Sequence, residues 1–172
     1  LAQIEQLEIR AGHNIEQYSN LKIPKLEDVL ELNERYQMHV FVEVKGYHKD
    51  EDLKRLVELL QQSGIHRYSV IDFEAENLRK IRAITKQLPL GFLIGRELED
   101  SDIAFIQQLG SAFLDANYTK LTAEDVKRCH DQGVEVAVWT VNEAADAQPF
   151  IEAKIDYITT DTALHQAGGR SK

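Results

Sequence analysis

The sequence predicts an α/β protein of the (β/α)8 barrel type, with the chain supplying about six βα units. Three observations point there. Short β-rich apolar segments begin near residues 39, 67, 90, 111, 134 and 155, so they recur every 21 to 28 residues. That interval is the length of one strand, one helix and two short loops, and the intervening stretches carry apolar residues at helical spacing. No glycine-rich nucleotide loop follows any strand, which argues against an open dinucleotide-binding sheet. Strands alternating with helices imply parallel pairing with right-handed crossovers.

The elements follow in order. The first 38 residues read as loop with one helix, roughly from Lys25 to Tyr36 behind Pro24. HVFVEVK carries the first strand, and the helix after it sets Leu53, Val57 and Leu60 on one face. RYSVIDF is the second strand, followed by Leu78, Ile81 and Leu88. LGFLIG is the third, followed by Ile103, Ile106 and Leu109. SAFLDAN, VEVAVWT and IDYITTD complete the series. Three helices stop at a glycine, so Gly64, Gly110 and Gly133 are expected as left-handed caps. A complete barrel has eight units in about 250 residues, whereas the chain has 172. The count predicts two strands ahead of residue 1; an arc of six alone would leave two bare edges and an open interior. Residues 1–172 therefore read as one partial barrel domain.

Composition excludes several classes. Lys and Arg number 20 against 29 Asp and Glu, and this net charge of −9 disfavours nucleic acid or an anionic membrane surface as partner. No apolar run approaches the roughly 20 residues of a membrane span. The single Cys129 excludes an internal disulfide framework and a cysteine-based zinc site. With no apolar leader, it favours the cytoplasm.

Functional side chains of such a barrel sit at the C-terminal ends of its strands. On the first strand Glu43 and Lys45 lie two apart and share a face. A carboxylate there suits a hard cation, and the ammonium beside it suits a phosphate oxygen. A structural ion pair closing the barrel top has the same spacing, and spacing alone slightly favours it. The other strand ends are also polar: Asp72 and Phe73, Asp115 and Asn117, Trp139 and Thr140, Thr160 and Asp161. Asp161 and Asn142 read first as caps and Asp72 as structural. Trp139 is placed either to wall a pocket or to fill the core. Histidines 13, 39, 48, 66, 130 and 165 are scattered, none at a strand end pointing inward. His48 reads as solvated and His130 as a helix-end residue. Neither HExxH nor G-x-S-x-G occurs.

IPKLEDVLEL, VFVEVKG, VIDF, PLGFLIG, LTAEDVKRCHDQGVEVAVWTVNEAADA and IDYITTD, in this order from about residue 20 to 162, resemble the glycerophosphodiester phosphodiesterases. The E-x-K-G strand and W-T-V-N are the most specific parts. The resemblance implies a (β/α)8 barrel in which these six units are strands three to eight. It implies hydrolysis of a small glycerophosphodiester to glycerol 3-phosphate and an alcohol, in lipid and glycerol metabolism. Glu43 would be one of three carboxylate ligands of a divalent cation, Ca2+ or Mg2+. Lys45 would bind the phosphodiester oxygens, Trp139 would line the glycerol side, and Phe73 is a secondary candidate for its apolar wall.

The departures carry equal weight. The family's acid and base histidines, in H-R-G and H-D segments, and its E-x-D metal ligands correspond to positions upstream of Leu1. No catalytic residue is therefore assigned, and the chain is expected to be inactive alone. Asp72 stands where a serine is usual, Lys154 where a glycine is expected before the last strand, and Thr162 where a proline commonly follows T-D. The alternative is a non-catalytic, degenerate barrel kept for binding or assembly, completed by a homo-oligomer or a strand-swapped partner. A different phosphate-handling barrel is a distant third.

Overall fold

The computed structural model describes residues 2–162. The chain opens with a short helix α1 (Ala2–Glu5), a 3-10 turn (Ile15–Gln17) and α2 (Leu26–Arg35). It then alternates β1 (Val40–Val44), α3 (Asp50–Gln62), β2 (Tyr68–Asp72), α4 (Ala75–Ile84), β3 (Leu90–Ile94) and α5 (Asp100–Leu109). β4 (Ala112–Asn117), α6 (Ala123–Asp131), β5 (Val136–Trp139), α7 (Ala144–Glu152) and β6 (Tyr157–Ile158) complete it. The six strands pair in chain order, all parallel.

Side chains alternate across each strand and build two layers. The outward set includes Val70, Leu90, Phe92, Leu114, Val136 and Val138, packed in one buried core with the helices. Leu53, Val57 and Leu60 from α3, Leu78 and Ile81 from α4, and Ile103, Ile106 and Leu109 from α5 meet them there. Burial of each such side chain contributes about 1.5–3 kcal/mol, which explains why these helices lie on the sheet's outer face. Leu88 is a correction to the helical reading. It is buried, but from the loop, because α4 ends at Ile84 and the residue before Pro89 is sterically biased against helix.

The inward set bends the sheet. The rings of Phe41 on β1 and Tyr157 on β6 lie 5.3 Å apart, and Phe41 and Phe113 lie 5.5 Å apart. In a flat sheet the first and sixth strands would be about 24 Å apart at the usual spacing. The sheet is therefore curled into a half-barrel. Gly91 on β3 permits this: a Cβ there would stand 2.6 Å from both Ile71 Cγ2 and the Phe113 ring. Among the described residues β1 and β6 each pair on one side only. No helix of the described residues is long and apolar enough to cross a membrane.

The three glycines after helices adopt positive φ as expected, at 73° for Gly64, 62° for Gly110 and 73° for Gly133. Lys154, in the place of an expected glycine, does so too, at 62°.

Candidate functional site

Parallel strands in register bring their C-terminal ends to one rim, so the inward residues at those ends must face a common space. A cavity of about 310 Å³ lies there, lined among others by Glu43, Lys45, Phe73, Asp115, Trp139 and Thr159. The volume lies at the lower end of the roughly 300–1,000 Å³ of small-molecule sites. A larger cleft of about 690 Å³ lies between α2 and α3, lined by Glu27, Glu34, Arg55 and Glu58 among others. It is on the helical side, away from the strand ends.

Glu43 and Lys45, on one face of β1 by alternation, form an ion pair. Lys45 Nζ lies 3.1 Å from Glu43 Oε2, with the lysine mostly exposed and the glutamate one-third exposed. An exposed pair of this kind contributes at most about 1 kcal/mol to stability. Its ammonium is thus open to a ligand at little cost to the fold. Trp139 and Phe73 meet edge to face, ring centroids 5.8 Å apart at 83°, and form an apolar wall on the same cavity. Trp139 Nε1 donates to the main-chain carbonyl of Asp115 at 3.3 Å, which holds the indole in place. The four residues picked out in the sequence therefore share one cavity.

The fifth member is Asp115, which the sequence offers only as one polar strand end among several. Its side chain is buried, at 1% exposure, and its Oδ1 has no hydrogen-bond partner among the described residues. Burial, reinforced by the negative charge of Glu43, pushes its carboxyl up to about 7. The available signal was register: Phe113 and Asp115 alternate along β4 with the buried Leu114, so an acid on the inward face was readable.

Of the remaining strand-end residues, Thr140 also lines the cavity, while Asp72, Asn117, Asn142 and Asp161 bond within the fold. Asp72 points outward, where its Oδ1 accepts from Glu74 N at 2.8 Å and its Oδ2 from Asn77 Nδ2 at 2.8 Å. Burial raises its carboxyl, while those two donors pull it back. Asn117 accepts from Thr119 N at 2.9 Å. Asn142 and Asp161 cap no helix among the described residues. They tie the loops after β5 and β6 together, Asp161 N donating to Asn142 Oδ1 at 2.8 Å. Of the histidines, His48 Nε2 contacts the Lys45 carbonyl at 2.9 Å and His130 pairs with Asp156 at 2.9 Å. His39 contacts Ser69 Oγ at 2.9 Å and packs against Phe41 and Tyr157 at the opposite end of the barrel from the rim. His165 lies outside the described residues. None of the described histidines lines the rim cavity.

A hard cation needs six or more oxygen donors. Glu43 and Asp115 offer two carboxylates, and among the described residues no group of three His, Cys, Asp or Glu is placed to hold a metal. The chain's own residues thus fit a part of such a shell.

A six-strand parallel arc is also what comparison with known structures matches. The sequence profile of the glycerophosphoryl diester phosphodiesterase family matches residues 1–165. The chain belongs to this family. A phosphodiesterase of Oleispira antarctica in complex with the product sn-glycerol-3-phosphate matches at TM-score 0.80 and 20% identity, over 93% of this chain and 66% of its own. A glycerophosphodiester phosphodiesterase of Parabacteroides distasonis matches at TM-score 0.75 and 23% identity, over 93% and 66%. A structure from Silicibacter pomeroyi matches at TM-score 0.73 and 23% identity, over 84% of this chain and 55% of its own. At these identities the likeness is one of fold. The chain spans about half to two thirds of the length of the solved structures it matches. No curated protein sequence matches it.

Proposed function

We propose that this chain is the phosphate- and glycerol-facing part of a glycerophosphodiester phosphodiesterase domain. The observation that carries the reading is the convergence of Lys45, Glu43 and the Phe73–Trp139 wall on one cavity at the C-terminal rim. Lys45 holds the phosphodiester oxygens by charge and hydrogen bonding. Trp139 and Phe73 cover the carbon skeleton of the glycerol. Glu43 contributes one carboxylate to a divalent-cation shell, for Ca2+ or Mg2+. When bound, the cation would polarise the phosphoryl group and offset negative charge in the transition state. In the reaction the oxygen of a water bonds to phosphorus and the bond from phosphorus to the alcohol oxygen breaks. The water loses a proton and the alcohol gains one.

Those proton transfers, typically worth 10²–10⁴-fold, require a placed acid and base. No described histidine lines the cavity, so we expect the 172-residue chain to bind product without turning over substrate. Two measurements test this together. Calorimetry with sn-glycerol 3-phosphate in the presence of Ca2+ is expected to show binding, weakened about tenfold by Lys45→Ala. Incubation with glycerophosphocholine and Ca2+ or Mg2+ is expected to release no glycerol 3-phosphate above a Glu43→Ala control. Turnover above that control would overturn the inactivity. No binding, or binding that ignores Lys45, would favour the second reading, a non-catalytic barrel kept for binding or assembly.

A further inference from the structure

We propose that Asp115 is a specificity-determining residue: its carboxylate receives a hydroxyl from the polyol half of a phosphate ester whose phosphate sits at Lys45. The inference rests on the phosphate-ester reading above and adds to it the residue that selects a hydroxylated ligand.

Asp115 is the most deeply buried acid lining the cavity, at 1% exposure, and its Oδ1 is itself occluded and without a hydrogen-bond partner among the described residues. Among the described residues the one side chain bonded to Asp115, that of Trp139, donates to its main-chain carbonyl and not to the carboxylate. The charge acting on it is that of Glu43, which is of the same sign. A buried polar atom that is neither bonded nor ion-paired costs stability. Local rules are broken in this way where a ligand is to be met.

The chemistry of that ligand follows by elimination. A phosphate oxygen is repelled by a carboxylate, and Lys45 already offers a cation to it. A cation at Glu43 belongs to the reading above, and among the described residues no third acid or histidine joins Glu43 and Asp115 to hold a separate one. A hydroxyl donates one O–H to the Asp115 carboxylate and brings no charge into the site. Beside Asp115 the Phe73–Trp139 pair presents an apolar wall for the carbons that carry such a hydroxyl. Lys45 follows β1 and Asp115 lies on β4, three strands round the arc. A ligand with phosphate at one end and hydroxyl at the other therefore spans the cavity.

The test uses the whole 172-residue chain and two probes, sn-glycerol 3-phosphate and n-propyl phosphate, which has the same three carbons and no hydroxyl. Calorimetry is expected to show wild type binding the first about tenfold more tightly than the second. Asp115→Ala is expected to bring the two within about twofold by weakening glycerol 3-phosphate alone. Asp115→Asn, nearly isosteric, is expected to cut the preference at least about threefold. Without ligand at pH 8, Asp115→Asn is also expected to raise Tm by about 2 °C or more, because the unpaired buried carboxylate is removed. A merely structural Asp115 would give a lower Tm. Equal affinity of wild type for both probes, equal weakening of both by Asp115→Ala, or a lower Tm in Asp115→Asn would overturn the proposal and leave the phosphate-ester reading standing. If neither probe binds wild type, or Lys45→Ala changes neither, that reading itself fails and the assignment of Asp115 goes with it.

Discussion

Lys154 holds a φ of 62°, in the position just past the end of α7 where helices most often place glycine. The bonds of that turn are formed, Lys154 N to the Ile151 carbonyl at 3.0 Å and Ile155 N to the Phe150 carbonyl at 2.9 Å. The side chain makes the conformation costly by about 1–2 kcal/mol, part of which glycine returns as greater freedom in the unfolded chain. Lys154→Gly is therefore expected to raise stability by about 0.5–1 kcal/mol in urea unfolding; a loss would show that the lysine earns its place by a contact. The lysine was visible in the sequence as a departure from the family pattern, and backbone sterics explain why a glycine is expected there. Cys129 behaves in the opposite way. Burial pushes its thiol up to about 11, against a smaller opposing pull from Arg128. At pH 8 the folded chain is expected to resist iodoacetamide and to react only as fast as it unfolds. Prompt alkylation without denaturant would contradict the buried, protonated thiol.

At the scale of elements, the start of α5 shows how one acid organises a strand–helix junction. Asp102 is buried, accepts from Glu99 N at 3.0 Å, and takes both guanidinium nitrogens of Arg96 at 2.7 and 2.8 Å. Burial alone would raise its carboxyl, but Arg96 and the Glu99 N–H outweigh it and hold the group below its ordinary value of 3.8. A depressed acid contributes stability in full above that unfolded value and loses it as pH falls through the folded one. Asp102→Asn is accordingly expected to cost about 1–3 kcal/mol at pH 7 and to flatten the fall in stability below about pH 4. Urea unfolding at pH 7 and pH 3 checks both; an unchanged acid limb would place the titration elsewhere. Gly91 is the matching case inside a strand. Its Cβ would meet two side chains at 2.6 Å, so Gly91→Ala is expected to destabilise by about 1–3 kcal/mol through overpacking.

At the scale of the molecule, the sheet curls but pairs on only one side at β1 and at β6 among the described residues. Among the described residues, eight of the twelve large exposed apolar side chains lie between Ile4 and Met38. The outward apolar surface is thus concentrated in the segment leading into the first strand, where a ring of βα units would otherwise continue. The native chain is expected to enhance the fluorescence of the dye ANS, and the joint replacement of Leu7 and Tyr18 by serine to reduce it. Emission equal to that of a closed barrel would show that the segment is covered.

The amino-acid order alone determined the six strands, the helices between them and the inward placement of Glu43 and Lys45. Each of these follows from periods of two and 3.6 residues along the chain. It also marked Trp139 and Phe73, although as strand-end aromatics without a partner. Only the tertiary structure decided that these two pack edge to face on the cavity of the ion pair, that Asn142 and Asp161 bond to each other, and that Leu88 is buried from a loop. Alternation could set Asp115 inward and Asp72 outward, but only the tertiary structure showed which of these two strand-end acids is bonded. Asp72 finds donors on the helical side, while Asp115 is left unpaired on the inner one. Which donors reach a carboxylate depends on how neighbouring strands curl and where the next helix begins, and those are relations across the fold that no local pattern encodes.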